Sequence, residues 1–176
     1  PISYLQNQGF EIDFVKLDKN GLVDIKDLKS LIRDDTILIS ISAVNSETGL
    51  RQPVEEIGKF LSNYQKCFFH VDATQCIGKD KIDLENIDLI SFSAHKFFGM
   101  KGVGILIKKS GINLEPLIHG GKSTTKYRSG TPFLPLIVST SKALRIALEN
   151  FDEKYNYVTN LNKYLTEKLN TINGVT

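Results

Sequence analysis

The chain has 176 residues, 41% of them hydrophobic and 24% charged, with 22 Lys and Arg against 20 Asp and Glu and a net charge of +2. The two signs are interspersed, which gives no argument for a nucleic-acid partner, and no apolar run approaches the roughly 20 residues a membrane span requires. Two cysteines cannot build a disulfide framework, and Pro1 to Gly9 has neither the basic start nor the apolar stretch of a signal peptide, so a reducing, cytoplasmic setting is expected.

In chain order, the apolar pattern predicts strands alternating with helices, the signature of an α/β layer structure. Residues 11–17 (EIDFVKL) read as a strand, and Asp24 as the cap of a helix over residues 25–32 with apolar positions at Ile25, Leu28, Leu31 and Ile32. Residues 36–43 (TILISISA) form a short β-branched run of the kind found in interior strands. Pro53 opens a helix to about Asn63, since a proline at the first helical position loses no hydrogen bond.

Residues 67–71 (CFFHV), 88–92 (DLISF) and 103–107 (VGILI) are three further strand candidates. Between Phe92 and Val103 there is no room for a crossover helix, so the last strand is expected to run antiparallel to its predecessor, in a mixed, mostly parallel sheet flanked by helices. Helices are predicted over residues 132–150 and again from Phe151 to Leu169; the final residues, 170–176, stop on Asn-Gly and Val-Thr with no element to receive them, which reads as a cut. With no repeat and no linker rich in Pro, Gly or Ser, residues 1–176 are treated as one structural unit.

In open α/β sheets ligands collect beyond the carboxyl ends of strands. Three of the predicted strands are followed by polar groups: Val44-Asn45-Ser46-Glu47-Thr48-Gly49, Asp72-Ala73-Thr74-Gln75 and Ser93-Ala94-His95-Lys96. Carboxamide, carboxylate, hydroxyl, imidazole and amine suit a cofactor that carries a phosphate, a phenolic oxygen and a ring nitrogen, and a lysine amine can form an imine with an aldehyde. Singly, each residue has a blander explanation: Lys96 as a solvated lysine, His70 and His95 as structural histidines, Asp72 and Asn45 as turn formers. Together the three clusters justify an α/β ligand-binding domain of the kind that holds pyridoxal phosphate (PLP).

The segment His70-Val71-Asp72-Ala73-Thr74-Gln75, then Ser91-Phe92-Ser93-Ala94-His95-Lys96-Phe97-Phe98-Gly99 and Lys101-Gly102-Val103-Gly104, resembles the PLP motif of class V aminotransferases, in particular the NifS/IscS branch of cysteine desulfurases. Val44 to Gly49, His119-Gly120-Gly121 and Arg128-Ser129-Gly130-Thr131-Pro132 are similar to that branch in the same order, and the resemblance runs from about Gly9 to Asn150. It implies the large domain of a PLP-dependent transferase of fold type I, truncated, with residues 151–176 leading towards a small domain that is absent. It further implies that Lys96 carries the cofactor and moves the substrate's α-proton, that Asp72 pairs with the ring nitrogen, that Asn45 and Gln75 face the phenolic oxygen, and that Ser93, Ala94 and His95 belong to the cofactor-binding stretch, Ser93 and His95 at the phosphate. Family members are homodimers in which the residue matching Thr131 reaches the neighbouring subunit's phosphate. The implied reaction takes sulfur from L-cysteine, leaves alanine, and passes the sulfur to an acceptor scaffold protein for iron–sulfur or thio-cofactor assembly.

Several family features have no counterpart here: an earlier phosphate-binding turn and ring-stacking histidine, and a C-terminal domain with the sulfur-accepting cysteine and a carboxylate-gripping arginine. Cys67 and Cys76 do not fill that gap and are expected to pack as small hydrophobes. Residues 99–104 (GMKGVG) lack the ending of a Walker motif and open a strand, so a nucleotide triphosphatase is rejected, and no metal site is expected. On this reading the chain alone is inactive. Another class V enzyme, an aminotransferase or selenocysteine lyase, and a non-catalytic scaffold remain as alternatives.

Overall fold

The computed structural model describes residues 1–121 and 125–175; Thr176, at the end of the expected C-terminal stretch, lies outside the described residues. A short helix, α1 (Ile2–Asn7), forms where no element is expected, and it buries none of its residues, so no apolar periodicity marks it. Helix α2 (Ile25–Leu31) begins at Asp24, whose carboxylate accepts the N–H groups of Lys26 (2.8 Å) and Asp27 (3.2 Å). These are two of the four donors a helix start leaves unpaired.

Between these helices the expected strand over residues 11–17 does not form. Leu17 makes one isolated antiparallel bridge to Val23, while Glu11 and Asp13 pair with Arg33 at 2.8 and 2.7 Å. An apolar–polar alternation supplies only half of a strand; the other half is a neighbour that takes up its N–H and C=O groups, and among the described residues no strand pairs with this segment.

The remaining elements follow in the order expected: β1 (Leu38–Ser42), α3 (Val54–Leu61), β2 (Phe68–Asp72), β3 (Leu89–Ser93), a 3-10 turn (Ala94–Phe97), β4 (Gly104–Lys108), α4 (Leu134–Leu148) and α5 (Phe151–Leu169). The sheet order is β1-β2-β3-β4. The first three strands are parallel and β4 is antiparallel to β3, as the short connection requires.

One face of the sheet carries the core. Ile41, Phe69, Val71 and Ile90 pack against Val54, Ile57 and Leu61 of α3 and Leu28 of α2. Phe69, Val71, Val54 and Ile57 are fully buried, each contributing about 1.5–3 kcal/mol by leaving water. A second cluster joins Phe92, Ala94 and Phe97 to Ala147 of α4. Both cysteines pack as expected, Cys67 at 6% and Cys76 at 0% exposure, and burial pushes the Cys76 thiol up to about 11.

Two polar ties fix the margins of this layer. Gln52, buried, accepts the Val23 N–H at 2.8 Å and donates to the Gly21 carbonyl at 3.0 Å, fastening the turn before α2 to the segment after β1. Asp88, just before β3, accepts the Phe69 N–H at 2.9 Å and pairs with Lys109 at 3.1 Å, clamping the opposite ends of the parallel strands.

Candidate functional site

The sheet register sets the carboxyl ends of β1, β2 and β3 side by side: Ser42 stands opposite Asp72, and Asp72 opposite Ser91. The ladder continues one residue past the strands, with Ala43 N–H donating to the Asp72 carbonyl and Ala73 N–H to the Ser91 carbonyl, both at 2.8 Å. The three polar clusters therefore leave the sheet together along one edge.

After β1, the loop from Val44 to Arg51 closes on itself through an antiparallel bridge between those two residues. Asn45 organises it: its side-chain oxygen accepts the N–H groups of Glu47 and Thr48, each at 2.9 Å, and the Thr48 hydroxyl at 3.2 Å. With the oxygen committed, the exposed amide –NH2 is the part of Asn45 left to face a ligand. Arg51 locks the base of the loop through Glu55 at 2.5 Å and Asp80 at 2.6 Å, and these carboxylates raise its pKa above the ordinary arginine value.

After β2, half-buried Asp72 accepts the Thr74 N–H on Oδ1 at 2.9 Å, an Asx-type turn that leaves Oδ2 directed away from its own backbone bond. The chain then winds through a helical turn in which Cys76 and Ile77 N–H groups donate to the Ala73 carbonyl at 2.9 and 3.0 Å. Gln75 sits on this turn, and its Oε1 accepts Lys79 Nζ at 3.1 Å. As in Asn45, the amide –NH2 is what remains.

After β3, the 3-10 turn Ala94–Phe97 carries His95, exposed, and Lys96, half-buried. Phe97, 1% exposed with its ring 6.0 Å from that of Phe92, anchors the turn to the core. The turn reverses through Phe98 at φ 66°, and Gly99 N–H donates back to the Ala94 carbonyl at 2.9 Å. A side chain at Gly99 would begin 2.8 Å from that carbonyl oxygen, so the reversal requires glycine. Ser93 opens the turn without using its hydroxyl as a cap, which leaves the hydroxyl to other partners.

Thr131 is not brought to this edge by any contact. It is exposed, beyond a loop in which Ser129 donates its N–H to the Ile118 carbonyl (3.0 Å) and its hydroxyl to the Gly121 carbonyl (3.2 Å). Residues 119–121 and 128–130 are thus tied to each other.

Sequence reasoning gave His70 a structural role without naming its partners. It lies on the same sheet face as Asp72, and both ring nitrogens are engaged: Nδ1 with the Ser40 hydroxyl at 2.8 Å and Nε2 with the Ser91 hydroxyl at 2.9 Å. Burial lowers its pKa below the usual 6.5, against the opposing pull of Asp72. A neutral ring has one donor and one acceptor, and the rotatable hydroxyls complement either tautomer. The signal available in the sequence was a polar residue in the interior of each of three successive apolar runs: Ser40, His70 and Ser91.

Two grooves lie elsewhere, one of about 420 Å³ beside Val54, Glu55 and Asp83, the other of about 450 Å³ between Gly78, Phe97 and α4. Neither is lined by Asp72, His95 or Lys96. As a donor set, the edge offers an amine, a carboxylate, two amide –NH2 groups, a hydroxyl and an imidazole, group types that suit a ligand carrying an aldehyde, a ring nitrogen, an anionic oxygen and a phosphate, as pyridoxal phosphate does.

Residues 1–176 match the family described as aminotransferase class-V. Over 169 residues the sequence is 43% identical to a cysteine desulfurase IscS of Methanosarcina thermophila, covering 95% of this chain and 42% of that protein. It is 47% identical over 149 residues to the cysteine desulfurase IscS of Glaesserella parasuis serovar 5 (strain SH0165), covering 82% and 36%. Among solved structures, a NifS-like protein superposes with a TM-score of 0.88 at 40% identity, over 97% of this chain and 47% of that one. SspA in complex with cysteine superposes at 0.77 and 36% identity, over 82% and 42%. The chain spans less than half the length of each of these proteins.

Proposed function

The chain belongs to the aminotransferase class-V family, and we propose that the carboxyl edge of β1–β3 holds pyridoxal phosphate, with Lys96 as the residue joined to its aldehyde. When bound, that cofactor supplies an imine-forming carbonyl and a ring that withdraws electrons from the substrate's α-carbon. Asp72 keeps the ring nitrogen protonated. Asn45 and Gln75 donate to the phenolic oxygen, while Ser93 and His95, with the backbone at Ala94, hold the phosphate. Lys96 would hold the cofactor through its amine, and the same amine would be the group that takes and returns the α-proton. The observation that carries this reading is that two separate carboxamides both have their oxygens engaged within the protein, leaving only donors at an edge that also carries a carboxylate and an amine.

At the level of the whole protein, the activity is desulfuration of L-cysteine to alanine, the sulfur passing through a cysteine outside this chain to an acceptor scaffold protein. The relatives' names support this, as does the solved structure described as a complex with cysteine. Residues 1–176 then form the central part of the large domain, with the segment from 151 onward leading to a smaller one. A homodimer places Thr131 at the partner's phosphate; the exposed Leu117, Phe133 and Leu134 flanking that loop support such a contact. A cytoplasmic, reducing location is supported by two cysteines that are free and buried.

Incubation with PLP followed by borohydride reduction and peptide mass spectrometry tests the assignment. A single adduct on Lys96, absent in Lys96→Ala, is the expected result; adducts scattered over surface lysines overturn it. In the full-length protein, Lys96→Ala should lower turnover by at least about 10²–10⁴-fold. Transamination of L-cysteine without release of sulfur would replace the desulfurase reading with that of an ordinary class V aminotransferase.

A further inference from the structure

The turn after β2 brings together more than its motif residues. Ala73, Cys76 and Gly78 form its inner side: Ala73 and Cys76 are fully buried, and a side chain added at Gly78 would meet the Cβ atoms of Ala147 and Phe97 at 3.0 and 3.4 Å. Gly78 also takes φ 76°, open to glycine and strained for other residues. The turn is therefore held by its backbone against the same Phe97 that anchors the turn of Lys96. Its outer side carries Gln75 and Lys79, four residues apart and so on one side of the helical winding, joined by the 3.1 Å bond from Lys79 Nζ to Gln75 Oε1.

We infer that Lys79 is a positioning residue for the cofactor site: its ammonium occupies the Gln75 carboxamide oxygen, forcing the amide –NH2 toward the phenolic oxygen and adding a positive charge behind it. This rests on the proposed cofactor reading. An amide whose oxygen is free can turn over and present a lone pair to an anionic oxygen, which repels it; a lysine has only donors and can occupy only the carbonyl end. Asn45 reaches the same state through backbone N–H groups, so the two amides solve one orientation problem by different means.

Burial, and then the nearby Lys96, lower the Lys79 pKa, so the two amines lie within each other's field. Asp72 and His70 on β2 and His95 and Lys96 on the 3-10 turn belong to the same sheet edge, Asp80 follows Lys79 and is committed to Arg51, and Lys142 and Lys154 line the groove beside Gly78. Losing the Lys79 charge favours the protonated form of the Lys96–cofactor linkage, because a positive neighbour disfavours a second positive charge.

The test is a pH titration of the visible band of the PLP-loaded protein. Lys79→Met should raise the pKa of the linkage by about half a unit or more, and Lys79→Arg should restore it. The borohydride adduct at Lys96 should persist in both variants. In a Gln75→Leu background the Lys79→Met shift should shrink, because the two residues act through one contact. An unshifted pKa in Lys79→Met, or an equal shift with and without Gln75, overturns the inference. Absence of any Lys96 adduct in the unsubstituted protein instead overturns the cofactor reading on which it rests. Folding of each variant is read from its thermal transition, and Lys79→Gln, which removes the charge but keeps a polar side chain, takes the place of Lys79→Met in every comparison if Lys79→Met proves unstable.

Discussion

The layer from α2 to β3 and the stretch after β4 obey different rules. In the first, Phe69, Val71, Ile57 and Val54 are sealed between sheet and helix, and every loop at the carboxyl edge is tied by its own hydrogen bonds. In the second, α4 buries only Thr140 and Ala147, α5 buries none of its residues, and Leu134, Val138, Leu161 and Leu165 stand at half exposure or more. Even the buried Thr140 hydroxyl finds no hydrogen-bond partner among the described residues. The contrast shows that most of the candidate site rests on the well-packed layer, with α4 adding Ala147 behind the Lys96 turn, while helices of good local propensity can form with little tertiary support.

The sharpest way to break that comparison is to hollow out the first region. Phe69→Ala, at a fully buried position, should cost about 3–5 kcal/mol in urea unfolding, and a cost under about 1 kcal/mol would mean that the layer is loosely packed. Removing the cap of α2 with Asp24→Ala should cost about 1 kcal/mol, read in the same titrations, through the loss of two backbone contacts.

His70 gives a subtler test. Its folded pKa is depressed, so the fold holds it neutral while the unfolded chain gains a proton as pH falls below 6.5. The stability this neutral ring carries is complete above that value and is lost as pH drops from it through the folded pKa. His70→Gln should remove that component from the stability curve as pH falls below about 6.5; matching slopes in both proteins would show that the two serines accept the imidazolium as readily as the neutral ring. Smallest of all, Leu161→Ala on α5, half exposed, should change thermal stability by no more than about 0.5 kcal/mol. A larger loss would reveal a partner for that helix.

What could be read from the sequence follows the same division. The runs that became β1–β4 were legible because β-branched and aromatic residues cluster where both N–H and side chain are to be buried, and the antiparallel β4 followed from the length of one connection. Residues 11–17 failed because their neighbour is not written in them, and α1 was missed because it has no buried face. The site shows the same limit at finer scale. That Asp72, Ser93 and Lys96 follow strand ends could be counted along the chain. That the oxygens of Asn45 and Gln75 are already engaged depends on how each short turn closes; that Ser40 and Ser91 meet one imidazole from opposite sides depends on three strands lying in register, and no local pattern records it.

Among the described residues the four-strand sheet has two margins: β1 and β4 each have one neighbour, so along its outer margin each strand carries main-chain amides and carbonyls that no other described strand takes up. Such margins exchange their hydrogens early and recruit strands from other molecules. Ile39 and Ile41, facing the core on β1, give that margin the apolar backing that makes recruitment favourable, while the three lysines at positions 101, 108 and 109 around β4 repel a like copy. In concentrated solution, fibrillar or head-to-head growth should therefore begin from the β1 side, and added salt, which screens the lysines, should open the second.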